Sequence, residues 1–433
     1  MIDAIYIAQL DNNIQTAQEK NNTEFQQSGL VHSKVAGKFE IVKELPKKAD
    51  TFDNMFDYAD VYGKIRFAYI DSAHKLSDLP KEEKKASAIG GELGITTASY
   101  NDFSLNLSVY ISQSLNFINP SIDRTNEDFL NTDKDSFAYV SQASINYEND
   151  FFQTKLGRVK VETPYANSDD IRMAPNTFEG GWAKVDYTSE LNSQLVYLTK
   201  WAGYDSQDEE IGASQDVFKD LVDENSFGMI SASLSYEYAK NSEISIWQNY
   251  IDKQASITYA EIIGIYFIDG EKLHLDYGVQ YSSLNELNNS NVDGDVFGAM
   301  SILHYNGAFI GGAYNIAIVD DGEYITDGFG GGPYYTSLDE ATISAISQSA
   351  KINAQAYRVA GGYEFTQKYL DGGVIELVYG KFYNDCGHII EKDAIFTYDI
   401  TDRLYLEAIY TKFSSSCNNN TFDRTLVRLD YSF

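Results

Sequence analysis

Between residues 151 and 188, two runs of alternating side chains, FFQTKLGRVKV and FEGGWAKVDYTS, enclose the polar stretch ETPYANSDDIRMAPNT. That stretch gathers Glu162, Tyr165, Asn167, Ser168, Asp169, Asp170 and Arg172, and Pro164 and Pro175 stiffen its two limbs. Carboxylates, amides, hydroxyls and a guanidinium on an ordered segment present fixed charges and dipoles. They hold charge at fixed positions, which is the chemistry of sorting ions and dipolar solutes at close quarters. Covalent catalysis needs a nucleophile and base oriented by a third group. The five histidines, His32, His74, His274, His304 and His388, are scattered, so no enzyme is expected. Hard oxygen ligands raise calcium as a candidate bound ion, either at Asp169 and Asp170 or in the acidic segment 204–225, although neither has EF-hand spacing.

Such a segment needs rigid walls. From about Asp60 the chain reads as repeated runs of alternating residues. In VYGKIRFAYI, 61–70, Lys64 and Arg66 oppose Val61, Ile65 and Phe67; in FSLNLSVYIS, 103–112, the apolar and polar sets separate more cleanly. A soluble strand with one wet face gives the same pattern, so the connections carry more weight. Short ones (101–102, 148–150, 189–192, 240–242, 269–271, 306–307, 367–372, 400–402) alternate with others that are mostly long (71–86, 116–135, 162–177, 204–225, 284–294, 319–353, 384–388, 415–421), with a tight one at 252–256. Short turns at one end and long loops at the other predict a transmembrane antiparallel β-barrel of about 18 strands, all-β, with the 162–177 loop folded inward. The last run, FDRTLVRLDYSF, ends on an aromatic in register with alternating apolar residues and suits a strand that closes the sheet.

Composition agrees. The chain has 433 residues, with Tyr 33, Phe 24, Gly 31 and only Pro 6, and its mean hydropathy is −0.34. No apolar run is long enough for a spanning helix. A barrel shows lipid only one face of each strand, so a polar average is compatible with a membrane. The net charge of −31 disfavours nucleic acid as a partner. Residues 1–56, rich in Asn, Gln, Lys and Glu, form a separate N-terminal extension, either a periplasmic tail or a lumen plug, before a barrel over 57–433. MIDAIYIAQL lacks a signal-peptide core, so the sequence reads as a mature chain.

Charge on a lipid-facing strand position costs about 2–4 kcal/mol at mid-depth. Parity therefore turns Lys64, Arg66, Arg358, Arg424 and Arg428 inward as a basic ladder and leaves Arg158 and Lys160 ambiguous. In an 18-strand ring the 151–188 pair faces the strands near 354–383, which predicts a transverse field between loop acids and wall bases. Cys386 and Cys417 fall in neighbouring loops on the oxidising side and are candidates for a disulfide. GFGGGPYYTSLDE, 328–340, lacks the Gly-Lys-Ser/Thr of a phosphate loop; its Tyr334 and Tyr335 are placed to meet the inward segment.

The stretch KLGRVKVETPYANSDDIRMAPNTFEGGWAKVDY, 155–187, resembles the fifth strand, third loop and sixth strand of OprD-type outer-membrane porins, and most of all the Opr porins of epsilonproteobacteria. DNMFDYADVYGKIRFAYID, 53–71, GGPYYTSLDE, 331–340, and the terminal Phe433 fit the same family, so the resemblance covers roughly residues 50–433. It implies an 18-stranded barrel in the bacterial outer membrane, in contact with lipid and lipopolysaccharide, commonly trimeric, with an inward third loop and a basic wall. It also implies passive passage of small hydrophilic solutes, often carboxylate-bearing or amino-acid-like. Residues 1–50 depart from the family pattern. Two rival readings stand beside the diffusion channel: a substrate-specific channel plugged by the N-terminal segment, and a non-conducting barrel serving as adhesin or surface scaffold.

Overall fold

The computed structural model describes residues 47–433 except 78–79, 209–212, 271, 349–352 and 368–369. The proposed N-terminal plug or tail therefore lies, up to residue 46, outside the described residues. A short helix, α1 (Phe52–Asp57), precedes the first strand, and its Thr51 cap hydroxyl accepts from the Asn54 amide. Met55 in this helix packs against Ala49 and Ala98 at the short-turn end of the barrel.

Eighteen long strands then run up and down: β1 (Asp60–Lys75), β2 (Glu82–Thr96), β3 (Phe103–Ser114), β4 (Phe137–Glu148), β5 (Phe152–Val159), β6 (Thr177–Asp186), β7 (Leu191–Ala202), β8 (Met229–Ala239), β9 (Ser242–Ile251), β10 (Ala255–Asp269), β11 (Leu273–Glu286), β12 (Gly294–Tyr305), β13 (Ala308–Ile318), β14 (Ala354–Glu364), β15 (Gly373–Tyr383), β16 (His388–Thr401), β17 (Leu404–Ser415) and β18 (Thr421–Ser432). Each pairs antiparallel with its neighbours, and β18 pairs back onto β1 from Lys64↔Ser432 to Lys75↔Thr421. Phe433 completes the seam by exchanging backbone bonds with Gly63 at 3.1 and 3.0 Å. Closure leaves no unpaired edge, a requirement where no water can satisfy backbone groups.

The packing is inside out. Val61, Ile65, Phe67, Leu93, Leu107, Ile145, Leu234, Ile246, Ile310 and Leu377 are exposed on the outer face, whereas Arg66, Arg424 and Arg428 are among the largest fully buried side chains. Such an apolar belt would aggregate in water and is the correct surface in lipid. Among the described residues no helix is long and apolar enough to cross a membrane.

One connection differs from the sequence reading. The long loop expected at 71–86 is only residues 76–81, because β1 and β2 continue beyond it as a paired ribbon to His74↔Glu82. Lys85 donates to Asp71 across that ribbon at 2.7 Å. Both faces there are polar, so alternation vanishes although the strands do not.

Candidate functional site: the constriction

The third long loop, L3, leaves β5 and returns at β6. Its first limb forms a small hairpin, Glu162–Thr163 against Ala166–Asn167. Thr163 Oγ1 accepts from the Ala166 amide and donates to its carbonyl, both at 2.9 Å. Ser168 ties the hairpin base to Val161 through its side chain at 3.0 Å and its amide at 2.9 Å, and Glu162 accepts from that amide at 3.3 Å. At the tip, Tyr165 reaches Ser282 on β11 at 2.5 Å and Tyr334 in the 319–353 loop, L7, at 3.1 Å. The second limb turns the other way. Asp170 meets Lys64 and Arg66 on β1, and its carbonyl meets Arg428 on β18. A loop rooted at β5 and β6 that touches β11 on one side and β1 and β18 on the other crosses the tube.

Arg66 anchors the second limb. It grips Asp170 at 2.6 and 2.9 Å and Asp430 at 2.8 and 2.6 Å, two bidentate forks from one guanidinium, and also donates to the Arg172 carbonyl at 2.6 Å. Lys64 adds a 2.5 Å bond to Asp170. Arg428 donates to Glu407 at 2.6 Å and to the Asp170 carbonyl at 2.5 Å. Burial pushes the Asp170 carboxyl up, but Arg66 and Lys64 outweigh it and hold the group well below the usual carboxylate range.

Arg172 joins four loops. Its guanidinium donates to Asp128 at 3.1 Å, lies 4.6 Å over the Tyr204 ring, and faces Asp339 and Glu340 at 3.8 and 3.5 Å. Arg424 pairs with the same Asp339 and Glu340. Arg358 faces Glu376 on β15 at 3.6 Å. Asn167 accepts from Gly331 at 3.3 Å, and Asp169, half-buried, takes the Asn176 amide on its carbonyl at 3.4 Å.

The geometry differs from the sequence picture in two respects. The loop acid does not oppose the wall bases across water: Asp170 touches Lys64 and Arg66. The wall faced by β5 and β6 has its own acid, Glu376, beside Arg358. Alternation assigns a face to each side chain but not the distance a loop travels. Sequence reading also missed Asp430, Glu407, Asp128, Tyr204, Asp339 and Glu340, the partners that neutralise the bases. Asp430 was within reach, since it shares parity with Arg428 and Arg424.

L7 braces L3. Phe329 exchanges backbone bonds with Tyr165 at 2.9 Å and Asn167 at 3.0 Å, a two-rung parallel contact. Tyr334 meets L3 through Tyr165, and Tyr335 donates to Glu261 on β10 at 2.8 Å. Within L7, burial pushes the Asp327 carboxyl up to about 6, against the pull of the Ser344 and Thr342 hydroxyls. Its folded value exceeds the ordinary 3.8, so the folded loop holds this proton longer. The stabilisation is complete below about pH 4 and is lost as pH rises through about 6, at most about 3 kcal/mol. Protease resistance of L7 is expected to fall between those limits, and an Asp327→Asn variant to show no such fall.

Beyond the constriction, a cavity of about 310 Å³ is lined by Glu127, Asp128, Tyr204, Asp205 and Gln207, from the 115–136 and 203–228 loops. At the same end Cys386 and Cys417 are joined as a disulfide with Cα atoms 5.4 Å apart. Denatured, unreduced protein should therefore release no thiol in a colorimetric assay.

Comparison with known families bears on this architecture. Residues 119–353, more than half of the chain and including L3 and L7, match the OprD family, described as outer membrane porin. The chain belongs to the OprD family. Among solved structures it resembles Pseudomonas aeruginosa OccK9 (OpdG), with a TM-score of 0.74, 16% identity and coverage of 88% of this chain and 99% of that one. A BenF-like porin from Pseudomonas fluorescens Pf-5 gives 0.72, 13%, 88% and 99%. P. aeruginosa OpdK gives 0.71, 14%, 88% and 99%. No curated protein matches the sequence. This OprD-family porin is a bacterial outer-membrane channel for passive diffusion of small solutes, and its family and fold are those of channels rather than enzymes in general.

Proposed function

We propose that this porin is a narrow pore that favours cationic and zwitterionic solutes over anions, and that it has no catalytic role. One observation carries the reading: each wall base is matched by an acid, and acids remain in excess. Lys64 and Arg66 share Asp170 and Asp430, Arg428 has Glu407, Arg424 has Asp339 and Glu340, and Arg358 has Glu376. The surplus sits in the cavity above, which Glu127, Asp128 and Asp205 line. OpdK was crystallised with vanillate, a small anion. In this chain the acid-lined cavity disfavours such a solute and concentrates cations. Carboxylate-bearing solutes remain compatible when they also carry an ammonium group.

The constriction supports selection by dipole orientation. Asp170 and Arg66 are fixed by several bonds each, so their fields do not relax as a solute passes. Reversal potential across a salt gradient tests the reading. A potential on the cation side is expected, and one on the anion side would refute it.

Within the family, we place the chain among the epsilonproteobacterial Opr porins on the strength of the 155–187 stretch. We also propose a homotrimer whose outer rim contacts lipopolysaccharide; light scattering of detergent-solubilised protein giving a single-chain mass would refute the trimer. A plug formed by residues 1–56 predicts higher conductance once residues 1–46 are removed. A calcium ion at Asp169 and Asp170 would have to displace Lys64 and Arg66 from Asp170. Titration with calcium producing heat that disappears in Asp169→Asn would establish it.

A further inference from the structure

At the short-turn end of the lumen, away from L3, two histidines and an aspartate converge. His274 on β11 and His304 on β12 are directly opposed across the strand pair. Their rings stack with centroids 4.4 Å apart and planes 8° from parallel. Asp276 lies two residues along β11 from His274 and so projects to the same face. His304 Nε2 is 2.8 Å from Asp276 Oδ2, and His274 Nε2 is 3.9 Å from Asp276 Oδ1. One ligand atom from each residue lies within 4.8 Å of the other two.

The surroundings separate this group from an ordinary surface ion pair. Asp276 is fully buried, and its Oδ1 has no hydrogen-bond partner among the described residues. A buried carboxylate oxygen left without a donor is costly. Phe267 flanks His274 at 5.9 Å and Phe309 flanks His304 at 5.8 Å, so apolar rings shield both outer sides of the imidazole stack. Two neutral imidazoles that turn Nε2 lone pairs toward one carboxylate repel it and each other. If both Nε2 atoms carry protons instead, only His304 lies within bonding distance of the carboxylate. A single cation at the point shared by the three atoms removes that repulsion and gives the idle Oδ1 a partner.

We propose that His274, Asp276 and His304 form a binding site for a late first-row divalent metal ion, of the zinc, nickel or copper class, on the inner wall near the periplasmic mouth. Imidazole nitrogen with one carboxylate suits these ions and not the harder calcium or magnesium. Three protein ligands leave a coordination position for water or a passing solute. The site places a dication at the short-turn end of the wall whose upper part the L3 tip touches at Ser282, and it does not depend on the pore's ion preference proposed above.

Zinc chloride titrated calorimetrically into the full, folded porin in detergent tests this. One zinc per chain is expected. His274→Gln, His304→Gln and Asp276→Asn should each weaken binding by more than about tenfold, the scale on which even the partners of a metal ligand act. His74→Gln and His388→Gln should leave it unchanged. Each variant is checked for folding by its faster migration in unboiled gels. Cobalt added to the unmutated protein gives a readout independent of any variant: visible ligand-field absorption with histidine coordination is expected. No zinc heat, zinc heat that survives all three substitutions, or no visible cobalt spectrum would overturn the site.

Discussion

The Asp170→Asn channel is expected to be more permeable to anions than its parent and less stable. The substitution keeps shape and volume and removes one negative charge from a cluster of Lys64, Arg66 and Arg428, three buried cations that meet at the second limb of L3. Asp430 still serves Arg66, and Glu407 still serves Arg428, so the barrel seam stays charge-paired. What is lost is the acid that joins loop to wall. Removing one partner from a buried ion pair costs about 3–5 kcal/mol, because the other charge is left desolvated. The loop's second limb should therefore be held to the wall mainly by the carbonyl bonds to Arg66 and Arg428, and the cluster, now one positive charge in excess, should attract anions. Reversal potential in a salt gradient should move toward the anion limit, while the denaturant midpoint of the folded barrel falls. Asp169→Asn, one residue away with a half-buried side chain, should do much less. Equal shifts in the two variants would mean that loop charge matters only in aggregate and that the pinning geometry does not.

Much of this architecture was legible in the sequence, and particular residues show why. Alternation placed Lys64, Arg66, Arg424 and Arg428 on one face because each sits at even spacing from its neighbour on β1 or β18, and all are buried inside. Counting the alternating runs gave about 18 strands, and the sorting of short and mostly long connections to opposite ends identified the barrel. The register between distant strands was not legible. His274 and His304 are thirty positions apart and looked scattered, yet the pairing of β11 with β12 sets them side by side. Parity alone would have turned both inward; only the register shows that they meet. Asp170 and Lys64 present the same difficulty on a larger scale, since no periodicity links a loop to a strand 106 positions away. The ribbon of β1 and β2 above the membrane failed for the opposite reason. Where both faces are wet, a strand has no pattern to read.

Gly328→Ala is expected to raise conductance and channel noise by loosening the brace on the L3 tip. Gly328 has φ +75°, and a Cβ there would run into the Tyr165 carbonyl oxygen. That oxygen accepts the Phe329 amide, so the clash falls on the contact joining L7 to L3. Two costs arise. The backbone must hold a left-handed conformation with a side chain, about 1–2 kcal/mol. The loop must also move away from Tyr165, which strains the bonds from Tyr165 to Ser282 and Tyr334. Gly322 separates the two costs. It lies in the same loop with φ +92°, and nothing stands within 4 Å of its would-be Cβ. Gly322→Ala therefore carries the backbone cost alone and should leave conductance near the parent value. If both variants conduct alike, the L3–L7 contact does not set the aperture. If Gly328→Ala alone conducts more, the bore of this porin is held by two loops gripping each other, and L3 owes its position in the lumen to L7 as well as to the wall.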